Sequence, residues 1–511
     1  MTNVVRNIWE HAESTPEHIA LRVDDQAWSY AELQANVARA ALGLKDRGVN
    51  RGDRVLMVVP SSAEFVFVYY GILSIGATAV TVNTLCTAPE IEYYLSDAQC
   101  TLAVGYDDTS DALSVAAARV TTPTWILSPG SVARDVTDET GGLPEYVDLD
   151  DSDSAAILYT SGTTGRPKGA VLSHRNLIST AQAASIGLEV GPDDRMGTAL
   201  PLFHVFGQVS AMGAIHYVGG GLSLLRRFDA EAMLKLAVSH RLTAMAGVPT
   251  MWNEMLHAET SYTPADLAGL RLCLCGGAPL PTAVKDAFLA RFGAHMVDGY
   301  GLTETSAAAT CGSVHHQTKE GSVGRAVHGT RIAILDNDLQ PAPLGEVGQV
   351  AVDGPGVMRE YWKRPEATAS VRSGPWFLTG DLGTMDADGD LWIVGRLKDL
   401  IIRGGYNVYP TEIEDVLYRH PSILECAVVG VPDDRLGEEV AAVLVPQQGS
   451  DIDLVELREW LAERLAAYKV PRIFQLSEGL PKGTTGKILK REIDQQDLLS
   501  DGVRPPKPAR T

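Results

Sequence analysis

The chain contains 511 residues, of which 45% are hydrophobic and 21% are charged, as is typical of soluble globular proteins. Because one hydrophobic core rarely extends over so many residues, we expect at least two domains. The net charge of −21 argues against nucleic acid as a ligand and against binding to an anionic membrane surface.

The N-terminal segment lacks the pattern of a signal peptide, because its apolar residues fall at helical spacing and alternate with charged ones. No apolar run reaches the roughly 18–20 residues that a membrane-spanning helix needs. The cysteines are few and lack the spacing of metal ligands, which favours free thiols. These features predict a protein of the reducing cytoplasm without a membrane span.

Residues 29–82 alternate between helix and strand patterns. Ser29 and Glu32 form a capping-box pattern at the start of a helical stripe. A helix is then predicted between two strands, and similar strand patterns return later in the chain. The predicted strands cover residues 54–59, 78–82, 155–159, 242–246 and 270–275, and the helix covers residues 63–75. This order predicts an α/β fold in which helices cover largely parallel sheets.

A loop rich in glycine and hydroxyl groups, residues 159–169, follows one of these strands. Its glycines allow a tight approach of the backbone, and its hydroxyls and the Lys168 ammonium are donors, a combination that suits a polyphosphate. It is not a Walker A loop, because Pro167 precedes the lysine and Gly169 follows it. The alternative is a flexible linker, which rarely follows a core strand directly.

The C-terminal third changes character. Residues 319–395 show short strand patterns separated by Gly/Asp turns, which indicates a small β region. After residue 398 a compact α+β unit is predicted, with a helix over 411–418, strands over 424–431 and 439–445, and a helix over 453–466. The tail, residues 496–511, is rich in proline and is predicted to be disordered.

Several further motifs follow the loop in a fixed order. They are LPLFHVFG at 200–207, GYGLTET at 299–305, TGD at 379–381, GRLKD at 395–399, Gly404-Gly405, and PKGTTGK at 481–487. With the loop at 159–169, they make the chain resemble the class I adenylate-forming enzymes, which comprise acyl-CoA synthetases, luciferases and free-standing adenylation domains. The resemblance extends from about residue 28 to about residue 491.

The resemblance implies a division of the chain into parts with different tasks. Residues 1–395 would form an N-terminal domain that binds ATP and the acyl group, and residues 396–398 would be a hinge around Lys398. Residues 399–495 would form a mobile C-terminal domain that carries a catalytic lysine. The small domain would swing between an adenylating pose and a thioester-forming pose, as hinged domains do.

The resemblance also implies a reaction, a ligase of the acyl-CoA synthetase type. A carboxylic acid would react with ATP to give an acyl-adenylate and pyrophosphate, and the thiol of coenzyme A would then displace AMP. Charge on the phosphates calls for Mg²⁺ and fixed cations. Two alternatives remain: an adenylating enzyme that loads the phosphopantetheine of a carrier protein, and a non-catalytic binding member of the family. The oligomeric state is left open.

The resemblance assigns the residues of the nucleotide site by their positions in the matching motifs. Glu304 is the candidate Mg²⁺ ligand, and Thr303 would contact the α-phosphate. Asp381 would hold the ribose, and Arg396 would donate to the same ribose or to the phosphate. For Glu304 the alternative is a surface carboxylate or N-cap partner, and for Asp381 and Arg396 a salt-bridged turn. The full set of predicted ATP- and AMP-binding residues is Thr160, Ser161, Gly162, Thr163, Thr164, Gly165, Lys168, Gly276, Gly277, Ala278, Asp298, Gly299, Tyr300, Gly301, Thr303, Asp381, Arg396 and Lys487.

Lys487 would bridge the carboxylate and the α-phosphate during adenylation, and it joins Thr303, Glu304 and His204 as the predicted catalytic set. His204 is expected to act as a gate between the acyl and thiol channels; its alternative is a core histidine. Gly404 and Gly405 would border the tunnel for the pantetheine arm of CoA, and their alternative is a tight turn.

The predicted acyl pocket has small or apolar walls. By resemblance it comprises His204, Val205, Ala246, Gly247, Val248, Gly301 and Leu302, beside residues 276–278. These stretches contain no arginine or lysine, which disfavours a short dicarboxylate, and no aspartate is placed to hold an amino-acid ammonium. A hydrophobic monocarboxylic acid is therefore predicted as the substrate.

Overall fold

The computed structural model of the protein describes residues 2–136, 144–160, 166–278, 280–313, 318–483 and 488–506. The predicted α/β class is confirmed, with a large N-terminal part and a small C-terminal part. Within the described ranges no helix is both long and apolar enough to cross a bilayer. All six cysteines are free thiols, as their spacing predicted.

A seven-stranded sheet forms one layer of the large part. Five consecutive strands, from Ser154–Thr160 to the edge strand Thr124–Leu127, run parallel, and two antiparallel strands extend the sheet on the other side. The sequences of these strands are continuous apolar runs without alternation, because both faces of the sheet are covered. In spatial order the strands are Glu360–Tyr361, Lys168–Ser173, Ser154–Thr160, Thr78–Thr81, Arg54–Val58, Leu102–Tyr106 and Thr124–Leu127.

A nine-stranded sheet forms the second layer. Its six central strands are parallel, and the pairs at both ends are antiparallel. In spatial order they are Arg325–Ala326, Thr310–Cys311, His295–Tyr300, Leu272–Cys275, Ala244–Gly247, Arg195–Thr198, Gly221–Leu224, Ile19–Val23 and Gln26–Ser29. The strands predicted at 242–246 and 270–275 are neighbours in this sheet.

Helices fill the space around and between the sheets. Every residue of Ala63–Ser74 is buried, so this helix lies in the interior, where an all-round apolar sequence belongs. It packs on Tyr30–Asp46, which begins with the predicted capping box of Ser29 and Glu32. The other helices of this part are Arg6–Ser14, Ala88–Ala98, Ser110–Val120, Ser131–Asp135, His174–Leu188, Ala214–Tyr217, Ala230–Ser239, Pro249–His257, Thr282–Phe292 and Pro365–Ser370, with a π-helix at Phe206–Gly213.

The predicted β region is an antiparallel five-stranded sheet. Its strands are Arg331–Leu335, Gly348–Asp353, Arg372–Ser373, Trp376–Met385 and Leu391–Arg396. The turn between the last two contains Asp386, Asp388 and Asp390, whose carboxylates surround the Lys319 ammonium. This acidic cluster therefore already has a cation from the chain itself.

The small part has its own hydrophobic cores on the two faces of one sheet. Its strands are Ile401–Arg403, Tyr406–Val408, Ile423–Asp433, Gly437–Pro446 and Ile473–Leu476, and its helices are Pro410–Leu417, Leu454–Ala462 and Gln495–Asp501. The predicted α+β unit is thus observed, while its exact borders as a domain, 399–495, stay a prediction.

The prediction of a disordered tail is wrong for residues 496–506. Gln495–Asp501 is a helix with a fully buried Leu498, and Val503 pairs with Phe474. The prolines that suggested disorder begin only at Pro505, after these contacts. A buried apolar side chain outweighed the low intrinsic order of the segment. Residues 507–511 lie outside the described ranges.

Candidate active site

The predicted phosphate loop connects two strands that pair directly. Ser154–Thr160 and Lys168–Ser173 are antiparallel, and Thr160 lies opposite Lys168. Both ends of the loop are therefore held by one ladder at the edge of the parallel strands. Ser161, Gly162, Thr163, Thr164 and Gly165, which were predicted to bind phosphate, lie outside the described residues.

Glu304 lies next to this loop. Its carboxylate atom Oε1 accepts hydrogen bonds from the Thr160 hydroxyl at 3.2 Å and from the Tyr361 hydroxyl at 2.7 Å. The Lys168 ammonium lies 4.6 Å from the centre of the Tyr361 ring. Glu304 is 8% exposed. One buried carboxylate, two hydroxyls and one ammonium thus meet where the loop begins and ends.

Glu304 and the loop residues suit a bound Mg²⁺. Carboxylate and hydroxyl oxygens are the hard donors that Mg²⁺ prefers, usually together with phosphate oxygens. The Thr160 and Tyr361 hydroxyls both donate to Oε1 of Glu304, and no described residue donates to its Oε2. Burial, followed by the charge of Glu304, raises the pKa of Tyr361, so its hydroxyl stays a donor to that carboxylate.

Asp381 is the centre of a second polar cluster. Its carboxylate accepts the Tyr300 hydroxyl at 2.7 Å and pairs with Arg396 Nε at 3.0 Å. Asp381 and Arg396 are register partners on adjacent strands of the five-stranded sheet. The side chain of Asp381 is 5% exposed, and burial, then Asp381, raises the pKa of Tyr300. The structure therefore brings together the two residues predicted to bind ribose.

One short segment joins the two clusters. Tyr300 ends the strand His295–Tyr300, and Glu304 lies in the helical turn Thr303–Thr305 directly after it. Between them Gly301 passes so close to Ala307 that a Cβ atom would lie 2.0 Å from its carbonyl oxygen. Only glycine allows this close approach, and the segment then brings Glu304 to Thr160 at the start of the loop.

Further residues predicted to bind ATP or AMP lie at the carboxyl ends of neighbouring parallel strands. Gly276, Gly277 and Ala278 follow the strand Leu272–Cys275, and Cys275 is the register partner of Asp298. Burial raises the pKa of Asp298 to about 6, although Lys285 opposes the shift. Ligands of α/β sheets usually bind at this edge.

The predicted acyl residues continue along the same edge. Ala246 and Gly247 end the next parallel strand, and Val248 leads into the helix Pro249–His257. His204 and Val205 come from the segment before the π-helix Phe206–Gly213. Thr81 of the other sheet donates to the Phe203 carbonyl at 2.9 Å, so this segment crosses from one sheet to the other.

The π-helix that follows His204 is an unusual local structure, and π-turns concentrate at functional sites. The Phe206 amide donates to His204 Nδ1 at 3.3 Å, so the ring is oriented by its own turn. Leu302 and Gly301 lie on the segment that carries Glu304. The predicted acyl residues thus come from strand ends and from the segments before the π-helix and before Glu304. That they form one pocket, and that His204 gates it, stay predictions.

The predicted hinge and CoA-tunnel residues lie beyond Arg396. Lys398 is exposed in a single helical turn, Leu397–Asp399. Gly404 and Gly405 form the two-residue turn between the strands Ile401–Arg403 and Tyr406–Val408, with φ angles of 59° and 85°. A hairpin turn of this kind needs positive φ at both positions, which favours glycine. The tight turn that the sequence left open is thus observed, and the tunnel role stays a prediction.

Lys487, the predicted catalytic lysine, lies outside the described residues. Its loop begins and ends at Lys482 and Ile488, which form a bridge. Lys482 pairs with Glu425, and both charges act on Glu254 of the helix Pro249–His257. Burial first and then Glu425 raise the pKa of Glu254, and Lys482 opposes them. The base of the loop therefore lies near the helix Pro249–His257 of the large part.

Tyr361 was not predicted from the sequence. It lies between the motifs, in a two-residue strand that pairs with Lys168–Ser173. A tyrosine among charged residues gives no local signal of a role. Only the strand pairing, Tyr361 against Ala170, brings its hydroxyl to Glu304 and its ring to Lys168.

Comparison with known proteins finds matches over most of the chain. A sequence model described as AMP-binding enzyme matches residues 8–362, and one described as AMP-binding enzyme C-terminal domain matches residues 412–487. The chain is 39% identical to a feruloyl-CoA synthase of an Amycolatopsis species, over 94% of this chain and 96% of that protein. It is 33% identical to a long-chain-fatty-acid–CoA ligase of Bacillus subtilis (strain 168), over 97% and 94%.

Among solved structures, the chain resembles ATP-bound MatB from Rhodopseudomonas palustris. The TM-score is 0.91 at 33% identity, and the match covers 97% of this chain and 99% of that one. The similarity therefore extends over both the large and the small part.

Proposed function

Since the chain belongs to the family of AMP-binding enzymes, we propose that it is an ATP-dependent acid–CoA ligase. It activates a hydrophobic carboxylic acid as an acyl-adenylate and transfers the acyl group to the thiol of coenzyme A. Relatives that match over almost their whole length are named as CoA ligases or synthases. The two clusters of the candidate site have the chemistry that this reaction needs.

The observation that carries the proposal is the segment from Asp298 to Glu304. Tyr300 at its start binds Asp381, and Glu304 at its end binds Thr160 beside the phosphate loop. The residue that contacts the ribose ligand candidate Asp381 therefore lies only a few positions before the phosphate-side carboxylate Glu304. This order suits a nucleotide that lies along the segment with its phosphates toward the loop.

In the first half-reaction an oxygen of the substrate carboxylate attacks the α-phosphorus of ATP. The bond from that phosphorus to the bridging oxygen breaks, and pyrophosphate leaves with the electron pair. Lys168 and Lys487 neutralise developing negative charge, and Asp381 with Arg396 fixes the ribose. Glu304 and Thr160 would hold Mg²⁺, which neutralises charge on the phosphate oxygens when bound.

In the second half-reaction the sulfur of CoA attacks the acyl carbon. The bond between that carbon and the AMP oxygen breaks, AMP leaves, and the thiol proton passes to solvent. Rotation of the small domain about Lys398 would remove Lys487 and bring Gly404-Gly405 toward the thiol path. Such a rotation lets one active site serve two reactions in turn.

The acid is proposed to be a hydrophobic monocarboxylic acid, aromatic or aliphatic. The residues at the acyl end are small or apolar, and Val205, Ala246 and Val248 are buried. One relative is named for ferulate, an aromatic acid, and another for long-chain fatty acids, so the relatives include both kinds of acid. An apolar wall with few polar groups is the usual setting for such ligands.

The test is a panel of acids assayed for pyrophosphate release and then for the mass of the thioester. Ferulate, benzoate and hexadecanoate would each be offered with ATP, Mg²⁺ and CoA. We expect acid-dependent release of pyrophosphate, with equal amounts of AMP and acyl-CoA. Asp381→Asn is the matched control, because it keeps the side-chain shape and removes the charge. Pyrophosphate release without acyl-CoA would contradict the CoA assignment and favour a carrier-protein thiol.

A further inference from the structure

An open cavity of about 510 Å³ lies beside the strand that carries Lys168. Among the described residues its wall includes three cations, Arg166, Lys168 and Arg364, together with Tyr93 and the exposed carboxylate of Glu366. In a chain with a net charge of −21, three cations on one wall are a local exception. We call this cavity the basic groove.

Arg364 is held in place from below by Asp97. Its Nη2 lies 2.6 Å from Asp97 Oδ1, and Asp97 Oδ2 accepts the Tyr159 hydroxyl at 2.7 Å. The Trp362 indole donates to the Asp97 carbonyl at 2.9 Å. The guanidinium is therefore positioned before any ligand arrives, while its side chain remains 41% exposed toward the groove.

Tyr93 forms another part of the wall. Its hydroxyl donates to the Pro167 carbonyl at 2.8 Å, and its ring lies 5.5 Å below the Arg166 guanidinium. Arg166 is exposed. The chain that leaves the phosphate loop is thus tied to the helix Ala88–Ala98, and Arg166 projects at the outer side of the groove.

Lys168 belongs to the groove and to the candidate active site together. Its ammonium lies 4.6 Å from the centre of the Tyr361 ring, and Tyr361 binds Glu304. The groove therefore begins at the phosphate side of the site and continues to the exposed arginines. Guanidinium groups bind phosphate oxygens with two parallel hydrogen bonds, which favours a phosphate anion as the occupant.

We propose that the basic groove is a binding site for the pyrophosphate that leaves after adenylation, with Arg166 and Arg364 as its outer ligands. The proposal rests on the function proposed above, which produces pyrophosphate next to Lys168. Successive cations would hold the product as it moves from Lys168 to solvent, and the same path would admit pyrophosphate in the reverse reaction. The phosphates of CoA share this chemistry, so the test separates the two sources.

The test is calorimetric titration of inorganic pyrophosphate into the full-length protein, with adenosine 3′,5′-bisphosphate as a stand-in for the CoA phosphates. We expect Arg166→Gln and Arg364→Gln each to raise the Kd for pyrophosphate about 3- to 10-fold, the effect of losing one partly exposed charged contact. Affinity for the bisphosphate should not change. Lys363→Gln is the matched control, because Lys363 precedes Arg364, is exposed, and does not line the groove.

The proposal is overturned if Arg166→Gln binds pyrophosphate as the wild type does, or if the bisphosphate loses affinity instead. If loss of the contact with Asp97 unfolds Arg364→Gln, the pyrophosphate affinity of Arg166→Gln still tests the proposal. The titration needs neither an acid nor CoA, so it is independent of the ligase assay. A wild type that makes acyl-CoA while Arg166→Gln binds pyrophosphate normally would overturn the groove alone. A wild type that binds pyrophosphate through Arg166 but makes no thioester would overturn the ligase function alone.

Discussion

At the scale of single residues, Tyr361 links the two charged groups of the phosphate side. Its hydroxyl donates to Glu304 Oε1 at 2.7 Å, and its ring faces the Lys168 ammonium at 4.6 Å. It is 5% exposed, so neither contact is replaced by water at low cost. A tyrosine in this position orients a carboxylate and a cation together, and we regard it as a positioning residue.

Tyr361→Phe should keep the ring and remove the hydrogen bond to Glu304. We expect the Mg²⁺ concentration for half-maximal pyrophosphate exchange to rise, and the exchange rate to fall about tenfold, as for loss of one hydrogen bond to a charged group. Tyr30→Phe is the control, since its buried hydroxyl binds Gly220 far from the site. An unchanged Mg²⁺ requirement in Tyr361→Phe would show that Tyr361 contributes only packing and does not position Glu304.

Glu304→Gln tests the metal-side carboxylate itself. The substitution keeps the side-chain size but removes the charge, so we expect adenylation to slow about 10²–10³-fold, as when one preorganised electrostatic contact is lost. Apparent affinity for the acid should change less, because the charge is needed mainly in the transition state. Pyrophosphate exchange across a magnesium titration measures both. Glu360→Gln, an exposed carboxylate on the Tyr361 strand, is the control; equal rates in both variants would exclude the metal role.

Two buried histidines should make the fold sensitive to acid. Burial lowers the pKa of His174 and of His216 from 6.5 to about 4. Between about pH 4 and pH 6.5 these histidines bind more protons in the unfolded chain than in the folded protein. The free energy of unfolding therefore falls as the pH falls from about 6.5 to about 4. The contribution of each is about 3 kcal/mol at most.

His216→Gln should therefore destabilise the protein most near neutral pH, and the difference from wild type should shrink toward about pH 4. Thermal unfolding at several pH values measures it. His216 contacts Tyr70 and the Ala20 carbonyl, and His11 adds a repulsive charge. Asp298 and Asp415, with pKa raised by burial to about 6, act in the opposite direction, so the difference between variants is the relevant measure. A difference that is constant with pH would show that His216 does not titrate; exposed His257→Gln is the control.

At the scale of elements, the last helix shows how a short segment is recruited to a core. Asp494 accepts hydrogen bonds from the amides of Gln496 and Asp497, which caps the helix Gln495–Asp501. Leu498 is fully buried against the small-part sheet, and Val503 pairs with Phe474 after the helix ends. Arg458 also donates to the Pro505 carbonyl. The segment thus closes one face of the small part.

Leu498→Ala should destabilise the small part by about 2–5 kcal/mol, because it leaves a cavity in a packed core. Leu499→Ala, one residue later and only partly buried, should cost much less. Denaturant unfolding followed by proteolysis of the C-terminal region measures the difference. Equal effects of the two substitutions would mean that the helix does not pack against the sheet.

At the scale of the whole molecule, the large and small parts meet around the candidate site. Asp381 and Arg396 end the large part, and the chain then passes through the turn at Lys398. Charges of the small part, Lys482 and Glu425, act on Glu254 of the large part, and Arg419 lies 3.6 Å from Glu320. Polar contacts of this kind suit two bodies that separate and reorient.

Lys398→Pro should restrict the φ angle at the predicted hinge to about −65°, so that adenylate forms but converts slowly to thioester. Lys487→Ala should do the reverse: adenylate formation is lost, and thioester formation from supplied acyl-adenylate is retained.

Single-turnover assays of each half-reaction measure the effects of the Lys398 and Lys487 substitutions separately. Lys398→Ala is the control, because it removes the side chain without fixing the backbone. Equal loss of both half-reactions in Lys487→Ala, or normal turnover in Lys398→Pro, would contradict the two-pose mechanism.

The sequence by itself determined the α/β class, the capping box at Ser29, several core strands and the family. Core strands are readable because uninterrupted apolar runs must be buried on both faces, wherever the rest of the chain lies. The motif positions are readable because loop chemistry is local: Gly301 and the Gly404-Gly405 turn depend on their immediate backbone. Asp381 and Glu304 were named through the family resemblance that these motifs carry, before any geometry was known.

Only the tertiary structure decided which of these residues meet, and which others join them. Tyr361 reaches Glu304 through strand pairing between segments almost two hundred positions apart in the chain, Tyr361 and Ala170. Asp97 orients Arg364 across a still longer separation of 267 positions, and this contact positions one cation of the basic groove. The C-terminal helix is ordered by burial of Leu498 in a sheet that the segment does not encode. Such contacts depend on the free energy of packing distant segments together, which local composition does not report.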